Sequence, residues 1–258
     1  MHWTATSEED LKAMEPETLR WSAEQFEQLV LDSQLRVAVF DCDGTLWSGD
    51  SGASFLFWSI EQGLVSRSTA DWIDTRYRAY QTGQVSELDI CGEMVQIYAG
   101  LREAELVAAA QRFMQGFVRP RIFAEMEALV AGLRQRGVEL WAVSSTNKWV
   151  VAAGAALFGI AAERVLAAEV EVTAGLIGSR IVDVPTDEGK ATTLRRVGLE
   201  RPDAVFGNSI HDLAMLEMAR NPFPVNPSPA LLGAAAKRGW SYFRPRSAEE
   251  AKAAPGGE

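Results

Sequence analysis

A short, mostly apolar run at residues 35–40, containing two valines and ending abruptly at Asp41-Cys42-Asp43-Gly44-Thr45, most constrains the fold of this chain. A run without polar alternation reads as a strand buried on both faces, the pattern of a parallel sheet sandwiched between helices. A polar loop directly at its carboxyl end lies where open parallel sheets bind their ligands. The same signature returns at residues 138–143, which end in Ser144-Ser145-Thr146-Asn147, and at residues 204–206, which end in Gly207-Asn208-Ser209-Ile210-His211-Asp212. A fourth short strand is expected at 223–225, and a hairpin is expected around Thr173-Ala174-Gly175, with Val170 and Val172 facing Leu176 and Ile177.

Between the first two of these strands the pattern changes. From about residue 52 to 117 apolar residues fall at helical spacing, among them Phe55, Trp58, Leu88, Val95, Tyr98, Leu106 and Phe113. This predicts a helical insertion, followed by a helix opened by Pro120, carried through Met126, Leu129 and Leu133, and stopped by Gly137. Upstream, Trp21, Ser22, Gln25 and Phe26 fit a capping box with a hydrophobic staple, so residues 1–34 read as a helical lead-in. The expected class is α/β, a Rossmann-like parallel sheet covered by helices on both faces. Its core would be residues 1–51 and 119–258, with an all-helical cap at 52–118.

Composition narrows the partners. With 258 residues, 47% of them hydrophobic, the chain can bury a full core, and its net charge of -10 argues against nucleic acid. Cys42 and Cys91 form no CxxC pair and are expected as free thiols. The first ten residues are acidic where a signal peptide is basic, and no apolar stretch reaches the roughly 20 residues that span a bilayer. A cytoplasmic protein without membrane association is expected.

Each polar cluster alone has an ordinary reading. Two aspartates beside a glycine make a turn, Ser144 would cap a helix, and Lys190 would be a solvated surface charge. Together, at successive strand ends, the aspartates and Ser144 supply what phosphoryl transfer requires: a carboxylate nucleophile, a second carboxyl for proton transfer, and a hydroxyl for the phosphoryl oxygens. No Walker A loop precedes Lys190, because Val184 and Ala191 replace the residues it needs. With His2 and His211 the only histidines, and no G-x-S-x-G, a histidine-based triad is disfavoured and His211 reads as a loop residue.

Asp41, Asp43, Gly44 and Thr45 match the DxDGT motif, and in this the chain resembles the haloacid dehalogenase superfamily, in particular its phosphoserine phosphatase-like branch with a class 1 helical cap. The resemblance implies a Mg2+-dependent phosphatase acting on a small phosphorylated metabolite through an aspartyl-phosphate intermediate. Asp41 would be nucleophile and Asp43 acid and base; Thr45, Ser144, Ser145 and Lys190 would hold the phosphoryl group. Asp41, Asp43, Asn208 and Asp212 would serve the metal, the last through an outer shell. Asn208 departs from the family, which usually carries Asp there. That departure motivates an alternative, a low-turnover phosphate-binding or regulatory protein; a phosphotransferase is another. Trp47 and Trp58 are candidate specificity residues. The aromatic residues of the insertion are expected mainly in its core rather than as a cage for a quaternary ammonium such as phosphocholine.

Overall fold

The computed structural model describes residues 19–248. The rest of the expected lead-in, residues 1–18, lies outside the described residues. Helix α1 (Ala23–Asp32) starts as the sequence predicts: Ser22 Oγ accepts from Gln25 N–H, and the Gln25 side chain accepts from Ser22 N–H. The Trp21 and Phe26 rings lie 5.8 Å apart, completing the staple.

Six strands form one sheet: β1 (Val37–Phe40), β2 (Glu139–Asn147), β3 (Val165–Thr173), β4 (Leu176–Asp183), β5 (Ala204–Gly207) and β6 (Asn221–Pro224). Their order is β4-β3-β2-β1-β5-β6, and every neighbouring pair is parallel except the β3–β4 hairpin. That hairpin turns at Ala174 and Gly175, both with positive φ, as a tight two-residue turn demands. Strand β6 reads Asn-Pro-Phe-Pro, and its place at the sheet edge is where missing N–H groups cost least. Central β1 pairs Phe40 with Ala142 of β2 on one side and with Phe206 of β5 on the other. The segments leaving these strands therefore emerge side by side, at the point where the strand order reverses.

Alternate residues of the central strands feed two apolar layers. Ala38, Phe40, Leu140, Ala142 and Phe206 pack against α1, α6 (Ala124–Gln135) and α7 (Lys148–Leu157). On the other face Val39, Val143 and Val205 meet α8 (Glu188–Arg196), α9 (Leu213–Met218) and α10 (Pro229–Arg238) through Leu194, Leu216 and Leu231. One expected start is corrected: Pro120 lies in a short 3-10 turn, Arg119–Arg121, and α6 begins at Ala124 with Phe123 as its N-cap. Phe123 is fully buried and its backbone N–H donates to Leu46 O, which ties the chain to the β1 loop and delays the helix.

The inserted segment holds α2 (Ser51–Glu61), α3 (Arg67–Gln81), α4 (Glu87–Gln96) and α5 (Glu103–Phe113). Leu56, Ile73, Val85 and Ile90 make a small apolar cluster of its own, whereas Phe55, Val95, Tyr98, Leu106 and Phe113 join the main core. Helix α4 lies against the hairpin at Gly92, where an added Cβ would come within 2.8 Å of the Ile181 side chain. Gln96 also donates to the Ser179 carbonyl at 2.6 Å, so the hairpin braces the helices near the carboxyl ends of the strands. Among the described residues no helix is long and apolar enough to cross a membrane.

Candidate active site

The turn after β1 is sharp. Leu46 N–H donates to Cys42 O and Gly44 N–H to Trp47 O, with Gly44 at φ +78. Glycine is required here on two counts: that backbone region penalises side chains, and a Cβ would lie 1.9 Å from the Asn208 amide. The turn holds Asp41, 5% exposed, with Oδ1 accepting from Lys190 Nζ at 2.7 Å and Oδ2 from Thr45 Oγ1 at 2.9 Å. The Thr45 hydroxyl, expected on the phosphoryl group, is fully buried and orients the carboxylate of Asp41 instead.

Asp43 is fixed by three donors: Trp47 Nε1 at 2.6 Å, Ser51 N–H at 2.8 Å and Thr146 Oγ1 at 2.9 Å. Trp47, a candidate specificity residue, therefore does not line the cavity. It is wholly buried, its ring near Phe158 and Gly154, because four residues after Asp43 the turn points it back beneath that carboxylate. Trp58 is also displaced from the expected role: it packs on Phe55 and Phe113 and lines a separate cleft.

At the end of β2 the N-cap of α7 is Asn147, whose Oδ1 accepts from Val150 N–H at 3.0 Å. Ser144 is thus spared from capping; its side chain lines the cavity and accepts from Thr146 N–H at 3.2 Å. Ser145 also lines the cavity and donates to Glu87 Oε1 of α4 at 3.4 Å.

Lys190 sits in the first turn of α8, 3% exposed, with Nζ shared between Asp41 and Asp212 Oδ1 at 2.5 Å. Asp212 is fully buried; its Oδ2 accepts from the Asn208 and Ser209 N–H groups at 2.8 and 2.9 Å. Both its oxygens are engaged, so it anchors Lys190 and the β5 loop. His211, read as a loop residue, lies in a short 3-10 turn, Ile210–Asp212, and pairs with Asp187 at 2.7 Å beside the cavity.

Lys190, Ser144, Ser145, Asn208, Asp41 and Asp43 border one cavity of about 420 Å³. Sequence reasoning missed several residues of the same cavity: Asp50, Tyr77, Tyr80 and Glu87 from the inserted helices, and Asn226, which donates to Gly44 O at 3.2 Å. The only local signals were modest, since Asp50 is the N-cap of α2 and Glu87 stands in the first turn of α4.

Burial pushes the Asp41 carboxyl up to about 7, helped by the Asp212 and Asp43 charges and opposed by Lys190. Burial works against the charge of Lys190, but Asp212 and Asp41 outweigh it and hold the ammonium protonated. Two carboxylates thus share one ammonium, with the Asp43 charge close enough to act on Asp41, and the cavity offers the Asp41 carboxylate, backbone carbonyls and the Asn208 amide, all donors suited to a hard divalent cation. Among the described residues no three Asp, Glu, His or Cys side chains converge as a metal cage, so such an ion would lean on carbonyl and amide oxygens.

Residues 38–217 match the family model for haloacid dehalogenase-like hydrolases. The chain belongs to this family. It is 27% identical over 215 residues to a histidinol-phosphatase of Neisseria meningitidis serogroup C (strain 8013), covering 79% of this chain and 96% of that one. A probable phosphatase of Mycobacterium tuberculosis (strain ATCC 25618 / H37Rv) is 27% identical over 232 residues, covering 84% and 79%. Among solved structures, a protein of unknown function from Bordetella pertussis Tohama I superposes with a TM-score of 0.72 at 26% identity, over 81% of this chain and 98% of that one. A phosphoserine phosphatase captured as a phospho-aspartyl intermediate analogue shares the fold, with a TM-score of 0.55 at 15% identity over 82% and 94%. The haloacid dehalogenase-like family and its phosphatase members class this chain as a phosphoric monoester hydrolase, in keeping with the second carboxylate at Asp43.

Proposed function

We propose that this phosphatase cleaves a small phosphate monoester by attack of Asp41 on phosphorus, forming an aspartyl phosphate that water then hydrolyses. The observation that carries the reading is the buried Asp41 carboxylate, oriented by Thr45 and Lys190 at a cavity that Ser144 and Asp43 also border. Asp43 protonates the departing oxygen and afterwards takes a proton from the attacking water, a dual duty that needs one fixed carboxyl beside the reacting centre. Its three hydrogen bonds provide that fixity. The Lys190 ammonium and the Ser144 hydroxyl offset charge on the phosphoryl oxygens, and Asp212 keeps Lys190 in place.

Asp41, the backbone carbonyl of Asp43 and Asn208 would hold Mg2+, with Asp212 behind them. The ion would add positive charge at the phosphoryl oxygens, where the residues present leave an excess of carboxylates. The inserted helices act as a cap that excludes water from the cavity and contacts the leaving group. The Neisseria relative's name puts histidinol phosphate in the first substrate panel.

Phosphate release measured with and without Mg2+, for the wild type and Asp41→Asn, tests the reading. Magnesium-dependent release lost in Asp41→Asn at unchanged circular dichroism supports it; undiminished release in the variant refutes it. An inert wild type rescued by Asn208→Asp would favour a low-turnover binding protein instead.

A further inference from the structure

The cavity has a second half that the phosphoryl chemistry leaves unused. The inserted helices contribute Asp50, Tyr77, Tyr80 and Glu87 to its wall. Among the described residues neither Asp50 nor Glu87 has a cationic partner, in contrast to most carboxylates of the core. Glu87 is half-buried and held by neutral donors: the Tyr80 hydroxyl on Oε2, and Ser145 Oγ and Cys91 Sγ on Oε1 at 3.4 and 3.6 Å. These bonds fix its position without cancelling its charge. Helix capping accounts for Asp50 Oδ1, which takes the Ala53 N–H at 2.8 Å, but not for a second carboxylate facing the same space.

Positive charge is scarce. Lys190 and His211 are the only described cavity residues able to carry it, and both are bound to carboxylates, Lys190 to Asp41 and Asp212 and His211 to Asp187. A leaving group with its own carboxylate would meet repulsion and no counter-ion. A cation would meet two uncompensated carboxylates and the tilted Tyr77–Tyr80 pair, whose rings lie 6.0 Å apart.

Resting on the phosphatase reading above, we propose that Glu87 and Asp50 select a phosphate ester whose leaving group carries a positive charge and no carboxylate. The contact between Ser145 and Glu87 sets the scale, because it joins the residue beside Ser144 directly to the carboxylate that reads the cation. A short aminoalkyl or imidazolium-bearing ester fits that span.

The test uses the full-length protein with Mg2+ and matched series of short ω-aminoalkyl, n-alkyl and ω-carboxyalkyl phosphates, with p-nitrophenyl phosphate as reference. The proposal predicts kcat/KM for the best aminoalkyl ester at least about tenfold above its n-alkyl match, with carboxyalkyl esters poorest. In Glu87→Gln and Asp50→Asn the amino-to-alkyl ratio falls toward one, and Glu87→Lys shifts preference to carboxyalkyl esters. Equal use of amino and alkyl esters by the wild type, preference for carboxyalkyl esters, or an unchanged ratio in both neutral variants overturns the selection while leaving the phosphatase reading standing. Absence of release from every ester, p-nitrophenyl phosphate included, rejects the phosphatase reading itself. The wild-type series needs no variant, so a misfolded mutant does not blunt it.

Discussion

Removing the Lys190 charge tests how the site is held together. In Lys190→Met the buried Asp41 and Asp212 carboxylates lose the ammonium that now lies 2.7 and 2.5 Å from them. At an effective dielectric constant of about 20, those contacts correspond to attractions of about 6 and about 7 kcal/mol, much of which the cost of burying the ammonium offsets. The net loss expected for stranding buried carboxylates in this way is about 3–5 kcal/mol at neutral pH. The loss depends on pH. Asp41 already has its carboxyl raised from 3.8 to about 7, so in the native state it takes up a proton while the unfolded carboxyl is still ionised. A raised carboxyl contributes stability at low pH that is lost as pH rises through the folded value. Without Lys190 the remaining charges raise Asp41 further, so the deficit of the variant is largest near about pH 8 and shrinks toward about pH 5.5. Urea unfolding followed by tryptophan fluorescence at both pH values measures it. A deficit under about 1 kcal/mol at both, or one that grows as pH falls, would refute the account of the triad.

Other consequences follow from single contacts. Trp47→Phe removes the 2.6 Å bond to Asp43 while keeping a ring in the buried site, so kcat should fall by about tenfold or more with KM little changed; a change confined to KM would contradict the acid-base role proposed for Asp43. Asn208→Asp adds a carboxylate to the cavity wall where Mg2+ is proposed to bind, and the Mg2+ concentration for half-maximal activity should drop by about tenfold; an unchanged requirement would remove Asn208 from the proposed donor set. Gly44→Ala forces a side chain into left-handed backbone and into the Asn208 amide, 1.9 Å from the new Cβ. It should abolish activity and lower stability by more than about 1 kcal/mol, measured by the same unfolding assay.

Much of the candidate site's geometry was legible because the sheet converts sequence order into position. Three apolar runs become adjacent parallel strands, so the polar residues that end them at 41, 144 and 208 must meet. Lys190 was legible only in company with them, since a lone lysine is ordinarily solvated and nothing local announces its burial between two carboxylates. Asp50 and Glu87 escaped because each already has a local reason to exist, as a helix cap and a first-turn acid, and only the packing of α2 and α4 brings both to the cavity. Trp47 and Thr45 were read toward the substrate, and in the structure each bonds to an aspartate. The tight turn at Gly44 folds both back onto the aspartates, and that geometry depends on backbone hydrogen bonds the residue types do not reveal.

The central claim is that the carboxylate of Asp41 becomes covalently phosphorylated. Mixing the protein with a hydrolysable phosphate ester, quenching in acid during turnover and mapping the phosphoryl group by peptide mass spectrometry addresses this directly. The account predicts a phosphoryl group on Asp41, absent in Asp41→Asn. Turnover with Asp41 unmodified, or the group found on another residue such as His211, would contradict it.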